Sequence, residues 1–404
     1  MPLDAEPALR PSPIPGISRN VFLLGLVSLC TDASSEMIYP LVPLFLAQTL
    51  KAPVAIIGII EGLAEATASV FKGVSGWISD RVGRRKGLVV SGYGLAALAK
   101  PLLALAAAWP LVLAARVLDR FGKGLRTAPR DALLADSTRA EVRGRAFGFH
   151  RSADQIGAVA GPLSALPLLA AFQGNYRALF VAAFVPALLG VALLGAVSET
   201  GRPAARGTQP PATLRLAGVP RFRRFLLIML LFALGNSSDM FLILRARQLG
   251  YATGAIVLLF AAFNLTYVFS AYPAGGLSDR LGRRRLLAVG LGLFALVYLG
   301  FGIAPQPVWL WLLFPIYGLY MGLTDGVSRA FVVDLVPTEQ RGTALGIYSM
   351  AVGLTAFLAS ALAGGLWQWL GPPAPFLFGA ALAGLAALWL ALTRWPCPAP
   401  APPR

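Results

Sequence analysis

Five basic side chains recur along residues 116–130, within one of the chain's apolar blocks. On a helix with 100° per residue they fall within an arc of about 120°. Each charge at the centre of a bilayer costs about 2.5–3.5 kcal/mol, so this stripe must face a hydrated cavity or partners of opposite charge. The basic stripe comprises Arg116, Arg120, Lys123, Arg126 and Arg130.

Two interpretations of the basic stripe stay open. Asp119 and Asp131 lie in the same block and leave three positive charges in excess. This excess favours a cavity wall that attracts an anion and binds its carboxylate or phosphate groups. In the alternative, the basic side chains neutralise carboxylates on the first and fifth blocks and hold helices together.

Carboxyl side chains in the first block suggest proton coupling. Asp32 and Glu36 are spaced i, i+4 in an otherwise apolar span. A carboxyl group in a low-dielectric cavity binds a proton more readily than in water, which a proton carrier requires. We predict that one of the two carries the coupled proton, permanent pairing with the basic stripe being the alternative. Asp154, beside Arg151 in the fifth block, is a further candidate.

Other charged side chains receive weaker predictions. The second block places Glu61, Glu65 and Lys72 within about 40° on a helical wheel, which favours a structural or gating role. Lys100, before Pro101, is expected to snorkel or to cap a kink. Candidate cavity residues in the second part of the chain are Asn236, Asp239, Asp325 and Arg329, and the last two also have the spacing of a mutual ion pair.

The composition excludes several classes of protein. Of 404 residues, 57% are hydrophobic and 13% are charged, against about 25% charged in soluble domains. The net charge of +17 comes without an aromatic and basic platform, which argues against nucleic-acid binding. Two cysteines and one histidine, His150, offer no metal centre. The sequence has no phosphate-binding loop and no nucleophile elbow, so we expect that the protein is not an enzyme and binds no cofactor. We expect a proton gradient as its energy source.

Twelve apolar blocks have the length that spans a bilayer and lack the alternation of a barrel strand. We therefore predict an all-α integral membrane protein with twelve transmembrane helices around a central cavity. The blocks are 21–48, 54–80, 88–107, 110–135, 145–172, 176–196, 224–249, 254–278, 286–305, 308–335, 343–369 and 374–393.

The basic residues between the blocks predict the topology. Arginines and lysines cluster after the second, sixth and eighth blocks, so both termini are expected on the cytoplasmic side of a bacterial-type inner membrane. The polar segments are interpreted as an N-terminal tail at 1–20, a cytoplasmic linker at 197–223 and a C-terminal tail at 394–404.

The chain also repeats itself. GWISDRVGRRK at 76–86 returns as GGLSDRLGRRR at 275–285, and RGRAFG at 143–148 returns as RGTALG at 341–346. SSEM at 34–37 is echoed by SSDM at 237–240. Nearly equal offsets predict two related six-helix halves of the same orientation, 21–196 and 224–393, as in secondary transporters.

The segment at 76–85 resembles the signature loop between helices 2 and 3 of the major facilitator superfamily, and 275–285 resembles its second copy. GAVAGP at 157–162 resembles the helix-5 motif of that family's antiporters, mostly drug and metabolite exporters. In the exporters' helix-4 motif Arg116 or Arg120 matches the arginine, but Asp119 or Lys123 replaces the usual glutamine. The resemblance implies gating roles for Gly76, Asp80, Arg81, Gly83, Arg84, Gly157, Gly161, Pro162, Gly275, Asp279, Gly282 and Arg283.

The resemblance further implies that Asp80 and Arg84 latch the outward-facing state and separate when the cavity opens inward. We predict a monomeric transporter that rocks two halves around a midplane cavity and couples efflux of a small, anionic metabolite or drug to protons. A proton symporter that imports an organic anion or a metal chelate is the first alternative. A non-transporting membrane sensor is the second.

Overall fold

A computed structural model describes residues 17–82, 85–138, 143–199, 219–336 and 341–393. Its regular elements within these ranges are helices, and each long helical segment coincides with one predicted block. They are α1 Arg19–Ile38, α2 Val54–Val82, α3 Lys86–Ala104, α4 Trp109–Asp136, α5 Arg143–Ala171, α6 Tyr176–Leu193, α7a Pro220–Gly235, α7b Met240–Gln248, α8 Thr253–Leu281, α9 Arg283–Ile303, α10 Leu310–Asp334, α11 Arg341–Leu370 and α12 Ala374–Leu392.

The outer surface of the helices is suited to lipid. Ten helical segments within the described ranges are long and apolar enough to cross a membrane. The other two, α4 with 28 residues and α5 with 29 residues, have the length but carry the charged side chains of the cavity. Large apolar side chains such as Phe269 and Trp369 are 72% and 83% exposed, which only a hydrocarbon environment makes favourable. The predicted all-α membrane fold is confirmed.

The repeat seen in the sequence returns as a repeated contact. Arg85 at the start of α3 pairs with Asp136 at the end of α4. In the second half, Arg283 at the start of α9 pairs with Asp334 at the end of α10, with 2.7 Å between Nη1 and Oδ2. Both members of the second pair lie 198 positions after those of the first. The two halves therefore use the same ion pair to join equivalent helices.

Glycines on α5 bring this helix against α1. A Cβ atom at Gly157 would lie 2.6 Å from the carbonyl oxygen of Leu29, and one at Gly161 would lie 2.6 Å from that of Ala33. No other residue permits this approach of two backbones. The contact places Asp32 and Glu36 of α1 beside the α5 glycines and so fixes their position at the centre of the first half.

The seventh block differs from the continuous helix that its hydropathy predicts. The helix stops at Gly235 and restarts at Met240, so that Asn236–Asp239 form a non-helical break. Serine side chains bind the freed backbone groups, because Ser238 Oγ accepts from the Met240 N–H and Ser360 Oγ accepts from the Ser238 N–H. Such local hydrogen bonds compete with the helix and explain the break.

The two halves meet along α2 with α11 and along α5 with α8. We call the side where α6 ends and α7a begins the linker side. On the opposite side the halves are in contact through the stacked rings of Tyr39 and Phe260, whose centroids are 5.4 Å apart. Towards the linker side, an open space between the halves is bordered by Lys72 of α2, Thr127 of α4 and Tyr348 of α11. The interface is thus closed on one side and open on the linker side.

Candidate transport cavity

A polar cavity lies between the two halves and has two connected compartments. The inner compartment has a volume of about 430 Å³. The outer compartment, nearer the linker side, has a volume of about 610 Å³. The side chains common to both compartments belong mainly to α1, α4 and α5. They are Asp32, Glu36, Glu65, Lys123, Arg151, Asp154 and Ala356.

Most of the cavity residues predicted from the sequence line one of the compartments. Pairs from distant parts of the chain, such as Asp32 and Asp239, come to face the same space because the halves pack side by side. The predicted residues that line the cavity are Asp32, Glu36, Arg120, Lys123, Arg126, Arg130, Asp131, Arg151, Asp154, Asn236, Asp239, Asp325 and Arg329.

Arg116 and Asp119 do not line the cavity, contrary to the sequence-based prediction. Arg116 binds Glu61 of α2, with 2.7 Å between Nη2 and Oε2. Asp119 binds Lys100 of α3, with 2.8 Å between Oδ1 and Nζ. Lys100 is 1% exposed and therefore does not snorkel, but its Nζ also donates to the Ala96 carbonyl oxygen at 2.8 Å, in the turn before Pro101. The opposite charges come from α2 and α3, which belong to the same half. The Arg116 end of the basic stripe therefore holds helices together inside the first half.

The middle and end of the basic stripe also have partners. Arg120 Nη2 lies 3.0 Å from Glu65 Oε1. The Arg126 guanidinium lies over the Tyr93 ring, 4.1 Å from its centroid, a favourable cation–π geometry. Arg130 binds its neighbour Asp131 at 2.8 Å. The pairing interpretation thus holds for much of the stripe, but its partners lie on α2, α3 and α4.

Three charged side chains at the centre of the cavity have no ion pair or side-chain hydrogen bond within the described part of the chain. They are Asp32, Glu36 and Lys123. Two carboxylates and one ammonium group are thus available to a substrate or to protons. Among the described residues, eight carboxyl and seven basic side chains line the two compartments, so the predicted positive excess of α4 does not extend to the cavity.

The second half contributes a different surface. Asp239, in the break between α7a and α7b, is its only charged side chain in the described lining of the inner compartment. The Tyr317 hydroxyl donates to Asp239 Oδ1 at 2.6 Å. Around it lie the rings of Phe260 and Phe263, with centroids 5.3 Å apart. Sequence reasoning missed these two phenylalanines, although their i, i+3 spacing places them on one face of α8.

A polar contact joins the halves where the two compartments meet. Arg151 of α5 donates through Nη2 to the Tyr267 hydroxyl of α8 at 3.1 Å. Tyr267 in turn donates to Asp325 of α10 at 3.1 Å. Asp325 also binds Arg329 at 3.0 Å, as their spacing predicts. This inter-half bridge spans the route between the inner and outer compartments.

The residues of the two signature loops are described only in part. Gly83 and Arg84 lie outside the described residues, as do the side chains of Asp80, Arg81 and Asp279, so the latch between Asp80 and Arg84 stays a prediction. A Cβ atom at Gly76 would lie 3.3 Å from the Cβ atom of Ala128 on α4, and Pro162 lies within α5. Gly275 has open space on its Cβ side. Gly282 ends α8 with φ +89, a conformation that favours glycine.

A charged cavity between two helical bundles is the architecture of a membrane transporter that moves its substrate between the two halves. The family model of the Major Facilitator Superfamily matches residues 24–255 and 225–404. An uncharacterized MFS-type transporter of Methanocaldococcus jannaschii is 35% identical over 381 residues, covering 93% of this chain and 94% of that protein. The chain belongs to the major facilitator superfamily.

Two further comparisons support this assignment. The class G tetracycline resistance protein of Vibrio anguillarum is 26% identical over 385 residues, covering 87% of this chain and 94% of that protein. A solved structure of a nucleoside transporter superposes with a TM-score of 0.80 at 14% identity, covering 92% of this chain and 99% of the other. At that identity the superposition shows the fold alone.

Proposed function

We propose that this transporter exports a small organic molecule that carries a positive charge, in exchange for protons. The observation that carries the proposal is the pair of unpartnered carboxyl groups, Asp32 and Glu36, that face both compartments. A carboxylate at such a site binds either a proton or a cation. Competition between the two for the same groups couples their movements in opposite directions.

The charge of the substrate follows from the pairing of the basic stripe. The prediction of an anionic substrate depended on the positive excess of α4. Glu61 pairs with Arg116 and Glu65 pairs with Arg120, so carboxylates of α2 already neutralise two of the three excess charges. Among the unpartnered central groups the carboxyl groups outnumber Lys123. The aromatic rings of Phe260 and Phe263 beside Asp239 add faces to which an organic cation is attracted.

The direction of transport is inferred from resemblance. GAVAGP at 157–162 resembles the motif of antiporters, and its glycines form the contact between α1 and α5 that positions Asp32 and Glu36. A relative along most of the chain is a tetracycline resistance protein. These observations support export. We further propose, from the sequence alone, a monomer in a bacterial-type inner membrane, with both termini in the cytoplasm and without a chemical step.

Import of an organic anion with protons is a second candidate. Lys123 has no ion-pair partner within the described residues, and Nη1 of Arg126 is buried without a hydrogen-bond acceptor there. Both groups face the outer compartment and could bind a carboxylate or the ligand shell of a metal chelate.

Binding measurements at two pH values separate the candidates. Thermal stabilisation of the purified protein by matched organic cations and anions is measured at about pH 5.5 and about pH 8. For the proposed exporter, cations stabilise the protein and do so less at the lower pH, because protons compete. Stabilisation by anions alone, stronger at the lower pH, would establish the symporter instead.

A further inference from the structure

The chain's single histidine lies in a buried hydrogen-bond chain beside the cavity. His150, on α5, is 4% exposed. Its Nε2 is 2.9 Å from Ser28 Oγ of α1. Its Nδ1 is 3.7 Å from Oδ2 of Asp154, one helical turn further along α5. The imidazole therefore stands between a carboxyl group that lines the cavity and a hydroxyl group that does not.

Asp154 lies on the cavity side of this chain, at ion-pair distance from His150 and beyond hydrogen-bond distance. It lines both compartments but is only 8% exposed. Its Oδ1 is buried and has no hydrogen-bond partner within the described residues. Its Oδ2 lies 3.9 Å from Arg151 Nη1. An incompletely bonded carboxylate at the edge of a cavity is a group that gains or loses a proton as the cavity changes.

Ser28 is the other end. Its hydroxyl is 3.1 Å from the Tyr93 hydroxyl of α3 and 3.3 Å from Nη1 of Arg130 on α4. Arginine can only donate, so Ser28 Oγ accepts from Arg130. A serine hydroxyl has one hydrogen, which goes either to His150 Nε2 or to the Tyr93 oxygen. The hydrogen bond between Ser28 and His150 can therefore have either residue as its donor.

Each direction matches one charge state of Asp154. When Asp154 is ionised, the imidazole N–H is favoured on Nδ1, facing the carboxylate, and Nε2 accepts from Ser28. When Asp154 is neutral, no anion holds the hydrogen on Nδ1. The ring then carries its N–H on Nε2 and donates to Ser28, which donates to Tyr93. The imidazole has one N–H in each state, so the states differ only by the proton that Asp154 takes from the cavity.

We propose that protonation of Asp154 reverses the hydrogen bond between His150 and Ser28 and passes this change to Tyr93 and Arg130. The Tyr93 ring carries Arg126, so the relay ends on two basic side chains of the outer compartment. This inference rests on the proposed proton exchange, to which it adds a route from α5 to α4. His150 and Ser28 act as positioning residues, since neither lines the cavity.

Several other charged or titratable groups surround this relay and contribute to its response to pH. Asp32 faces it from α1, Tyr93 from α3, and Arg130 and Asp131 from α4. Arg151 faces the relay from α5 itself and also contacts Tyr267 of α8 and Asp325 of α10. A test must therefore separate Asp154 from these neighbours.

Nitrogen NMR tests the relay directly, because one histidine gives one pair of imidazole signals. The full chain, purified through a tag without histidine, is labelled with ¹⁵N-histidine and reconstituted in lipid. The expected result is an N–H on Nδ1 at the alkaline end of the pH range in which the chain stays folded, and on Nε2 at the acidic end of that range. Asp154→Asn is expected to hold the N–H on Nε2 at every pH, since the amide can donate to Nδ1. Asp334→Asn, in the other half, should leave the change intact.

The proposal is overturned if the N–H stays on one nitrogen over this range, if the ring becomes doubly protonated instead, or if Asp154→Asn keeps the change. These outcomes do not depend on transport. A relay that responds to pH in a protein that proves not to exchange protons would refute the proposed function alone. In transport assays, Ser28→Ala is expected to reduce the pH dependence of substrate KM at least threefold while substrate still binds, whereas unchanged pH dependence would contradict the relay.

Discussion

Arg116 and Glu61 form a two-point ion pair inside the first half, in which Nη2 lies 2.8 Å from Oε1 and Nε lies 3.2 Å from Oε2. The two residues are 3% and 1% exposed. Because they come from α4 and α2, the pair joins the helix that carries the basic stripe to the helix that forms the inter-half contact with α11. It is a structural element of the first half.

Removing one partner of this pair should destabilise the protein more than removing both. Arg116→Met leaves Glu61 with only its 3.7 Å contact to Arg120, and Glu61→Met leaves Arg116 with only its 3.9 Å contact to Asp119. Each single variant should therefore cost up to about 3–5 kcal/mol. The double variant should lose no more than about 1 kcal/mol, since Arg120 keeps Glu65 as its partner. Thermal unfolding of the three variants measures this. Additive losses in the double variant would show that the two residues do not depend on one another.

The sequence predicts the helices and the set of cavity residues well, because these follow from hydropathy and from the cost of charge in lipid. It does not predict the partners. Glu61 and Arg116 are 55 positions apart, and no periodicity connects them. Lys100 looks like a snorkelling lysine until α4 places Asp119 against it. The net charge of a cavity depends on all the helices that line it, which is why a single stripe suggested the wrong excess.

The α5 glycines offer a test of the contact that positions the central carboxyl groups. Gly157→Ala places a Cβ atom 2.6 Å from the Leu29 carbonyl oxygen and should cost about 1–3 kcal/mol by overpacking, with loss of transport. Gly148→Ala on the same helix meets nothing within 4 Å and should be neutral or stabilising by up to about 1 kcal/mol. Equal melting temperatures for the two variants would be inconsistent with close packing at Gly157.

The inter-half bridge should limit access to the inner compartment. Tyr267→Phe removes its hydrogen bonds to Arg151 and Asp325, each worth about 1.5–3 kcal/mol with a charged partner. A cysteine at Ala158, which lines only the inner compartment, in a chain in which Cys30 and Cys397 are replaced, should then react about tenfold or more faster with an impermeant maleimide, the factor expected for one lost bond of this strength.

A matched change exists for this experiment. Tyr251→Phe removes a hydroxyl that donates to the Pro307 carbonyl at 3.0 Å, away from the interface between the halves. It should leave the labelling rate unchanged. The bridge would have no gating role if Tyr267→Phe labels at the rate of the unaltered chain, or if both tyrosine variants accelerate labelling equally.

The most direct test of proton-coupled export of a cation is accumulation in proteoliposomes under an imposed pH gradient, with a matched set of organic cations and anions. We expect at least one cation, and no anion, to accumulate against its gradient. Asp32→Asn or Glu36→Gln should abolish this accumulation while binding stays measurable, and Tyr251→Phe, away from the interface between the halves, should preserve it. Accumulation of anions only, or of cations at full rate in both cavity variants, would contradict the account.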